Sequence, residues 1–407
     1  MDLTNVIPFI IHGQGVFIFS VNNADSCKMK FHDVTKENAI EVEVLTKGFS
    51  IKQIKKDKVK ILRDTNNKTG LSSKKGAYYW ISLDSQNRRI YAGVGEPRLE
   101  TMVYQYEYKS GSKQTKLFLE SLVEAHLLDG TIQPIRFLRD PISQNIPMLV
   151  KPTDELTMSD IAASKYLPKA NLSLVSQKLY DCISGKNFCL DDADFPDFTK
   201  AIERSIVTPG LWCNKTLENK SKEFNKDKPN LLETYLRITL GQNNGESPGI
   251  PYVLEIWPKG HFSPIHNHGG SSAIIRVLYG KIDVHLYPYL CLEKPKKSVD
   301  PFSTVTIEKD DITWISPTLN QIHQLENPDT NDSSCITIQC YMYDDENTTH
   351  YDYFDYLNSK GKSKQFEPDS DMDFIQFREL MKKEARNQGH QNPQSGFQTL
   401  LLLGKLS

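Results

Sequence analysis

The segment GHFSPIHNHGG, residues 260–270, sets His266 and His268 one residue apart between two apolar runs, Tyr252–Trp257 and Ala273–Leu278. Apolar runs of this length around a Gly- and Pro-punctuated stretch read as strands. Gly280 and Lys281 then turn the chain into IDVHLYPY, an alternating strand. In extended backbone, residues i and i+2 point to one face, so both imidazoles are expected on the same side. Two nitrogens one pleat apart can chelate a single ion, and a third ligand must then arrive from elsewhere in the sheet. Such a pair constrains the chain to a β-fold whose distant strands converge on one face. Histidine supplies only 10 of 407 residues, so three of them within eight positions (His261, His266, His268) call for a chemical reason.

The length is too great for one ordinary core; at roughly 100–200 residues per domain, two or three domains are expected. With 38% hydrophobic and 25% charged residues the composition is that of a globular, soluble chain. A net charge of −2 and a pI near 6.6 leave no global field to attract nucleic acid or an anionic membrane, and neither is expected as a partner. The Lys-rich run KGFSIKQIKKDKVKILR interleaves its charges with Ile, Val and Leu and reads as two solvated strands. Seven scattered cysteines without a C-x-x-C pair imply reduced thiols and a cytoplasmic setting. The first 20 residues lack a basic n-region and are broken by Pro8 and HGQG, which reads as neither signal peptide nor membrane span.

Residues 9 to 107 read as β: VFIFSV, IEVEVL, FSIKQI, KVKIL, YYWISLDS and RRIYAGVG alternate or run apolar between polar turns. DTNNKTGLSSKKG (64–76) reads as a polar loop. LFLESLVEAHLLDG has helical spacing, and QPIRFLRDPISQNIPMLVKP reads as a Pro-rich connector. Helical patterns dominate from Asp154 to Val207, a second β-rich block runs from Thr234 to Tyr343, and the tail carries one amphipathic helix. The final TLLLLGKL is expected to dock on the rest of the chain. The expected domains are a β-sandwich at 1–130, a connector at 131–153, a second β domain with a helical lead-in at 154–360, and a polar helical tail at 361–407.

The spacing Gly260-x5-His266-x-His268-x4-Ala273-x6-Gly280 resembles the first signature of the cupin family, and Pro317, His323 and Asn327 resemble the second with one residue more between Pro and His. The resemblance implies a double-stranded β-helix, a jelly-roll barrel, with His266, His268 and His323 as metal ligands. Many cupins carry a glutamate where Ala273 stands. No Asp or Glu occurs between His268 and Asp283, so three neutral imidazoles are expected to hold the metal. Imidazole suits Fe, Zn, Cu or Ni, and the ligands alone leave the ion open. His261 and His285 read as structural.

Residues 155–360 further resemble the cysteine dioxygenase family. YLRITL is similar to its Tyr-x-Arg strand, WPKGHFSPIHNHGGSSA to its metal strand, IHQLENP to its third-ligand segment, and YMYDDE to the stretch bearing its active-site tyrosine. The resemblance implies oxidation of L-cysteine to cysteine sulfinic acid by O2 at iron(II). It implies Arg237 and Tyr343 as catalytic residues, with Arg237, Tyr235 and Trp257 binding substrate; a bidentate guanidinium is the natural partner for a substrate carboxylate. The chain departs from the family at Ala273, where animal members have a crosslinked cysteine, and at Gln339 and Tyr341, where the family has Ser and His. These departures leave 3-mercaptopropionate or cysteamine as alternative substrates, and a non-catalytic metal-binding scaffold as an alternative role.

The strands VFIFSV and IEVEVL with YYWISLDSQNRRIYAGVGEPRLE resemble the farnesoic acid O-methyltransferase-like β-sandwich, which implies a binding or interaction domain. Gly93-x-Gly95 opens no clear helix and is not a dinucleotide loop. Residues 1 to about 150 carry no ligand at metal spacing, so the chemistry is expected to reside in the C-terminal block alone.

Overall fold

The computed structural model describes residues 6–21, 26–63, 78–109, 112–128, 132–224, 226, 228–241, 252–290, 300–343 and 354–389. The polar segment 64–76 and the terminal TLLLLGKL lie outside the described residues.

The N-terminal strands form two antiparallel sheets. One has six strands in the order Val6–Pro8, Leu122–Leu127, Ser26–Asp33, Asn38–Leu45, Gly48–Lys55 and Lys58–Leu62. The other has five: Ile132–Leu138, Gln14–Val21, Tyr79–Asp84, Arg89–Val94 and Met102–Glu107. Strict alternation buries Cys27, Met29 and Phe31 of the first sheet against Phe17, Phe19 and Ile81 of the second, giving one core between two sheets. The Lys-rich run forms the edge pair of the six-stranded sheet, with Lys58 to Ile61 exposed, a charged rim that discourages strand addition.

The centre of the five-stranded sheet is buried on both sides. Val16, Ile18, Trp80 and Tyr91 pack with Ile142 on the face away from the sandwich core, and the Ile142 amide donates to Ser82 Oγ at 2.9 Å. This is why Tyr79–Asp84 is buried at every position rather than at every second one.

Two expectations for the sandwich change, and the expected helical tail at 361–407 also supplies the strands Ser363–Phe366 and Met372–Asp373, the latter paired with Leu236–Thr239. The segment with helical spacing at 117–128 is split into a helix, Lys113–Glu120, and the strand Leu122–Leu127. The helical pattern loses to sheet pairing because the six-stranded sheet needs a strand between Val6–Pro8 and Ser26–Asp33. Part of the expected connector is the strand Ile132–Leu138, paired with Gln14–Val21, so the sandwich runs on to Leu138.

The C-terminal strands form a large sheet in the order Tyr166–Pro168, Leu149–Lys151, Ile312–Ile315, Ser272–Tyr279, Cys335–Met342, Tyr252–Trp257, Leu236–Thr239 and Met372–Asp373. Facing it, Ser303–Glu308, Lys281–Leu286 and His323–Glu326 pair in that order, with Phe354–Leu357 and Ser363–Phe366 beside them. Helices Leu174–Ile183, Phe198–Val207 and Phe374–Gly389 cover the outer face of the large sheet, where Leu254, Ile256, Ile274, Ile338 and Cys340 meet Leu179, Ile183, Phe198 and Phe377. The same alternation turns Glu255, Trp257, Ala273, Ile275, Thr337 and Gln339 to the inner face. Gly280, at φ +72°, makes the turn between the sheets; a Cβ there would lie 2.2 Å from the Ser334 carbonyl oxygen, which no side chain tolerates.

Candidate metal centre

His266 and His323 are brought together by backbone, not by side chains. Each donates its amide to the other's carbonyl, at 3.0 and 3.1 Å, forming an isolated antiparallel pair. His266 also bridges Tyr356, so it sits between two strands of the smaller sheet. The segment is thus a bridge rather than the regular strand that i, i+2 spacing suggests, because Gly269 and Gly270 turn left-handed (φ +61° and +78°) immediately after His268. The Ser271 amide and hydroxyl cap the His268 carbonyl at 3.0 and 2.8 Å.

The three rings form a nearly equilateral cluster, with centroid separations of 5.0, 4.8 and 4.8 Å. Candidate ligand atoms of His266, His268 and His323 all lie within 4.8 Å of one another. His266 Nδ1 faces the Pro264 carbonyl oxygen at 3.0 Å and His323 Nδ1 faces that of Asn320 at 3.0 Å. A carbonyl oxygen only accepts, so each Nδ1 carries the proton and each Nε2 is left as a lone pair aimed inward. The Nε2 atoms of His268 and His323 stand 3.2 Å apart, while His268 Nδ1 is buried without a partner. Lone pairs at that distance repel unless a proton or a cation lies between them. The donor set therefore fits a metal ion, held by His266, His268 and His323.

Burial keeps the imidazoles neutral: His266 is pushed down to about 4 and His323 to about 3, while His268 falls well below its usual value through burial and the neighbouring imidazoles. Neutral imidazole is the ligating form. His261 and His285 stand apart. His261 Nδ1 meets the Thr234 carbonyl oxygen at 2.9 Å, and His285 bonds Thr304 and Glu326 at 2.9 and 3.0 Å. Asn327 is fully buried and donates to the Trp257 and Ser333 carbonyls at 2.9 and 3.1 Å, tying the third-ligand segment to the large sheet.

The histidines open onto a cavity of about 790 Å³, its mouth included. Tyr235 and Trp257 both line it, stacked at 4.3 Å. Met148, Ile282, Val284, Ile307 and Leu325 make an apolar wall. Opposite stand Thr337, Gln339 and a carboxylate the sequence reading did not single out, Glu255. Gln339 Nε2 donates to Glu255 Oε2 at 2.5 Å and to Thr337 at 3.1 Å, and the Tyr341 hydroxyl donates to Gln339 Oε1. Burial pushes the Glu255 carboxyl pKa up, against the pull of the Arg237 guanidinium and the Gln339 amide. The available signal was a lone acid at an inward position of the otherwise apolar VLEIW strand.

Arg237 is the register partner of Glu255 on the adjacent strand, so it shares the inner face but stands one strand farther from the histidines. Its Nε is buried without a partner. Tyr343 falls one residue past the Cys335–Met342 strand and is half-buried, outside the cavity lining. Among the described residues, the tyrosine stacked on a ligand imidazole is Tyr341, 5.8 Å from His268 with the planes 14° apart.

The described cysteines form no disulfide, and no described helix is long and apolar enough to cross a membrane. No family model matches the chain. Among solved structures it is similar to the cupin domain of Schizosaccharomyces pombe Cnp3, at 15% identity over 26% of this chain and 64% of that one, with a TM-score of 0.20. It is also similar to the L-ribose isomerase of Acinetobacter sp. DL28, at 19% identity over 24% of this chain and 49% of that one, with a TM-score of 0.19. A third is the cupin domain of an XRE family transcriptional regulator from Enterobacter cloacae, at 13% identity over 27% of this chain and 97% of that one, with a TM-score of 0.20. The chain thus spans about half to two thirds of the length of the first two structures it matches. The solved structures similar to this mostly β chain include cupin domains, and its three clustered histidines are a possible metal site.

Proposed function

We propose that the chain is an iron(II)-dependent thiol dioxygenase that oxidises a small aminothiol, L-cysteine first, to the sulfinic acid. The reaction RSH + O2 → RSO2H balances internally: sulfur gives up four electrons, dioxygen takes them, and no further reductant is needed. Iron(II) held by His266, His268 and His323 would supply the redox centre beside the cavity. The observation that carries the substrate reading is Glu255 in the cavity lining with Arg237, its register partner on the adjacent strand, behind it and outside that lining. A carboxylate facing the cavity attracts an ammonium, and a guanidinium behind it attracts a carboxylate, a complement to the two charges of an amino-acid zwitterion. Gln339 holds Glu255 in place, and the apolar wall excludes water, which strengthens both attractions.

A thiol panel tests this reading: the chain is loaded with Fe(II) under argon, exposed to O2, and followed by oxygen uptake and product mass. Cysteine is expected to gain two oxygen atoms. Cysteamine, which keeps the ammonium, should follow, and 3-mercaptopropionate, an anion without one, should be worst. The cavity extends past a three-carbon thiol along Met148, Ile282 and Ile307, so aminothiols with an apolar tail belong in the panel. An iron-loaded chain that oxidises none of them would leave a non-catalytic metal-binding module.

A further inference from the structure

The loop Gly95–Arg98 leaves the five-stranded sheet of the sandwich and runs into the base of the histidine cluster. Gly95, at φ +97°, rests directly on the C-terminal unit; a Cβ there would lie 2.2 Å from the Pro288 carbonyl oxygen. Glu96 and Arg98 are 3% and 2% exposed. The two Glu96 oxygens accept the backbone amides of Asn320 and Gln321, each at 2.8 Å. Arg98 Nε donates to Glu96 at 3.1 Å, its Nη1 to the Ile146 carbonyl at 3.0 Å, and its Nη2 to Asn320 Oδ1.

Those two peptides lead straight to the metal ligands. Asn320, left-handed at φ +62°, offers the carbonyl that orients His323. The Gln321 side chain accepts the Gly270 amide at 3.0 Å and donates to the Ser271 carbonyl at 2.8 Å, bracing the turn behind His268. Two of the three imidazoles are therefore braced from one buried carboxylate contributed by the other domain.

We propose that Glu96, with Arg98, is a positioning residue of the metal centre: it fixes the peptides behind His323 and His268, so that the N-terminal sandwich sets the centre's affinity for its cation. The proposal rests on the metal reading of the histidine cluster. Removing a partner that orients a ligand weakens metal binding by about 10- to 100-fold.

The test uses full-length, metal-free wild type, E96Q and D84N, titrated with Co(II) by visible absorption in competition with a chelator, with circular dichroism reporting the fold. E96Q should keep its fold, bind Co(II) about 10- to 100-fold more weakly and show an altered ligand-field spectrum. Asp84 is a buried carboxylate of the same sandwich, bonded to Asn87 at 2.9 and 2.7 Å. D84N should lower thermal stability and leave Co(II) affinity unchanged. If E96Q does not fold, R98K gives the same reading, since it keeps the charge and loses the bonds to Ile146 and Asn320. Wild-type Co(II) affinity in E96Q or R98K, or equal weakening in D84N, overturns the proposal. A wild-type chain that binds no Co(II) overturns the metal reading itself.

Discussion

His323 is oriented by one carbonyl and paired through its backbone with His266, so removing its imidazole leaves the other two in place but short of a ligand. His266→Ala, His268→Ala and His323→Ala are each expected to lower iron content to a small fraction of wild type while circular dichroism is unchanged; elemental analysis of the purified variants decides. The same rings set a pH dependence. Their folded-state values lie at about 4 and about 3, below the usual 6.5, so on acidification the unfolded chain takes up protons that the folded metal-free chain refuses. Stability linked to His266 and His323 is fully present above about pH 6.5 and is lost progressively as the pH falls through about 4 and then about 3, by several kcal/mol in total. Urea midpoints of the metal-free chain across that range should fall, and the fall should be shallower in His323→Gln. A midpoint that is flat from pH 7 to 4 would show that the rings are not held neutral.

At the scale of the strand, the proposed thiol dioxygenase reading is tested on the adjacent pair Tyr252–Trp257 and Leu236–Thr239. Arg237→Ala leaves a substrate carboxylate unpaired, which costs about 2–4 kcal/mol, so kcat/KM for cysteine should drop about 30- to 1000-fold. Cysteamine, with no carboxylate, should be nearly indifferent to that change and sensitive to Glu255→Gln. Both variants should retain iron, since neither residue is a ligand. Equal losses on both thiols in both variants would mean that the pair is structural. Alternation made the sandwich strands legible in the sequence, because period two is a local property; His266 and His268 were legible by their clustering, though their segment is a bridge and not a strand. Glu255 was not legible: its importance comes from facing histidines that lie beyond a sheet crossover, and one acid in an apolar strand is a weak signal without that geometry. The strand Leu122–Leu127 was hidden for the converse reason, since local spacing favoured helix and only the neighbouring strands require a strand there.

Across the whole molecule, the expectation that the C-terminal block would be sufficient in itself meets two structural ties. Leu149–Lys151 is a strand of the large sheet, and the carbonyls of Pro147 and Met148 accept from Trp314 and Thr313 at 3.1 and 2.9 Å. Ile142 closes the outer face of the five-stranded sheet. Gly93 is packed so closely under Trp80 that a Cβ would lie 2.3 Å from the indole ring. Gly93→Ala should therefore displace Trp80 from the layer between the domains and lower the melting temperature of the whole chain, an effect differential scanning calorimetry reads as a shift of the C-terminal transition too. If only part of the heat absorption moves, the two domains unfold independently.

The Glu96 carboxylate holds amides 224 and 225 positions further along the chain. A residue pair so distant in sequence and so close in function resists recombination. A chimera that joins the C-terminal half to a foreign sandwich of the same strand order would inherit the three histidines without the carboxylate proposed to brace two of them, His268 and His323. Such a hybrid could fold and still be poor at retaining its ion, so the two halves of this chain are expected to have travelled together through descent, with drift at residue 96 matched by change in the loop that carries the third ligand.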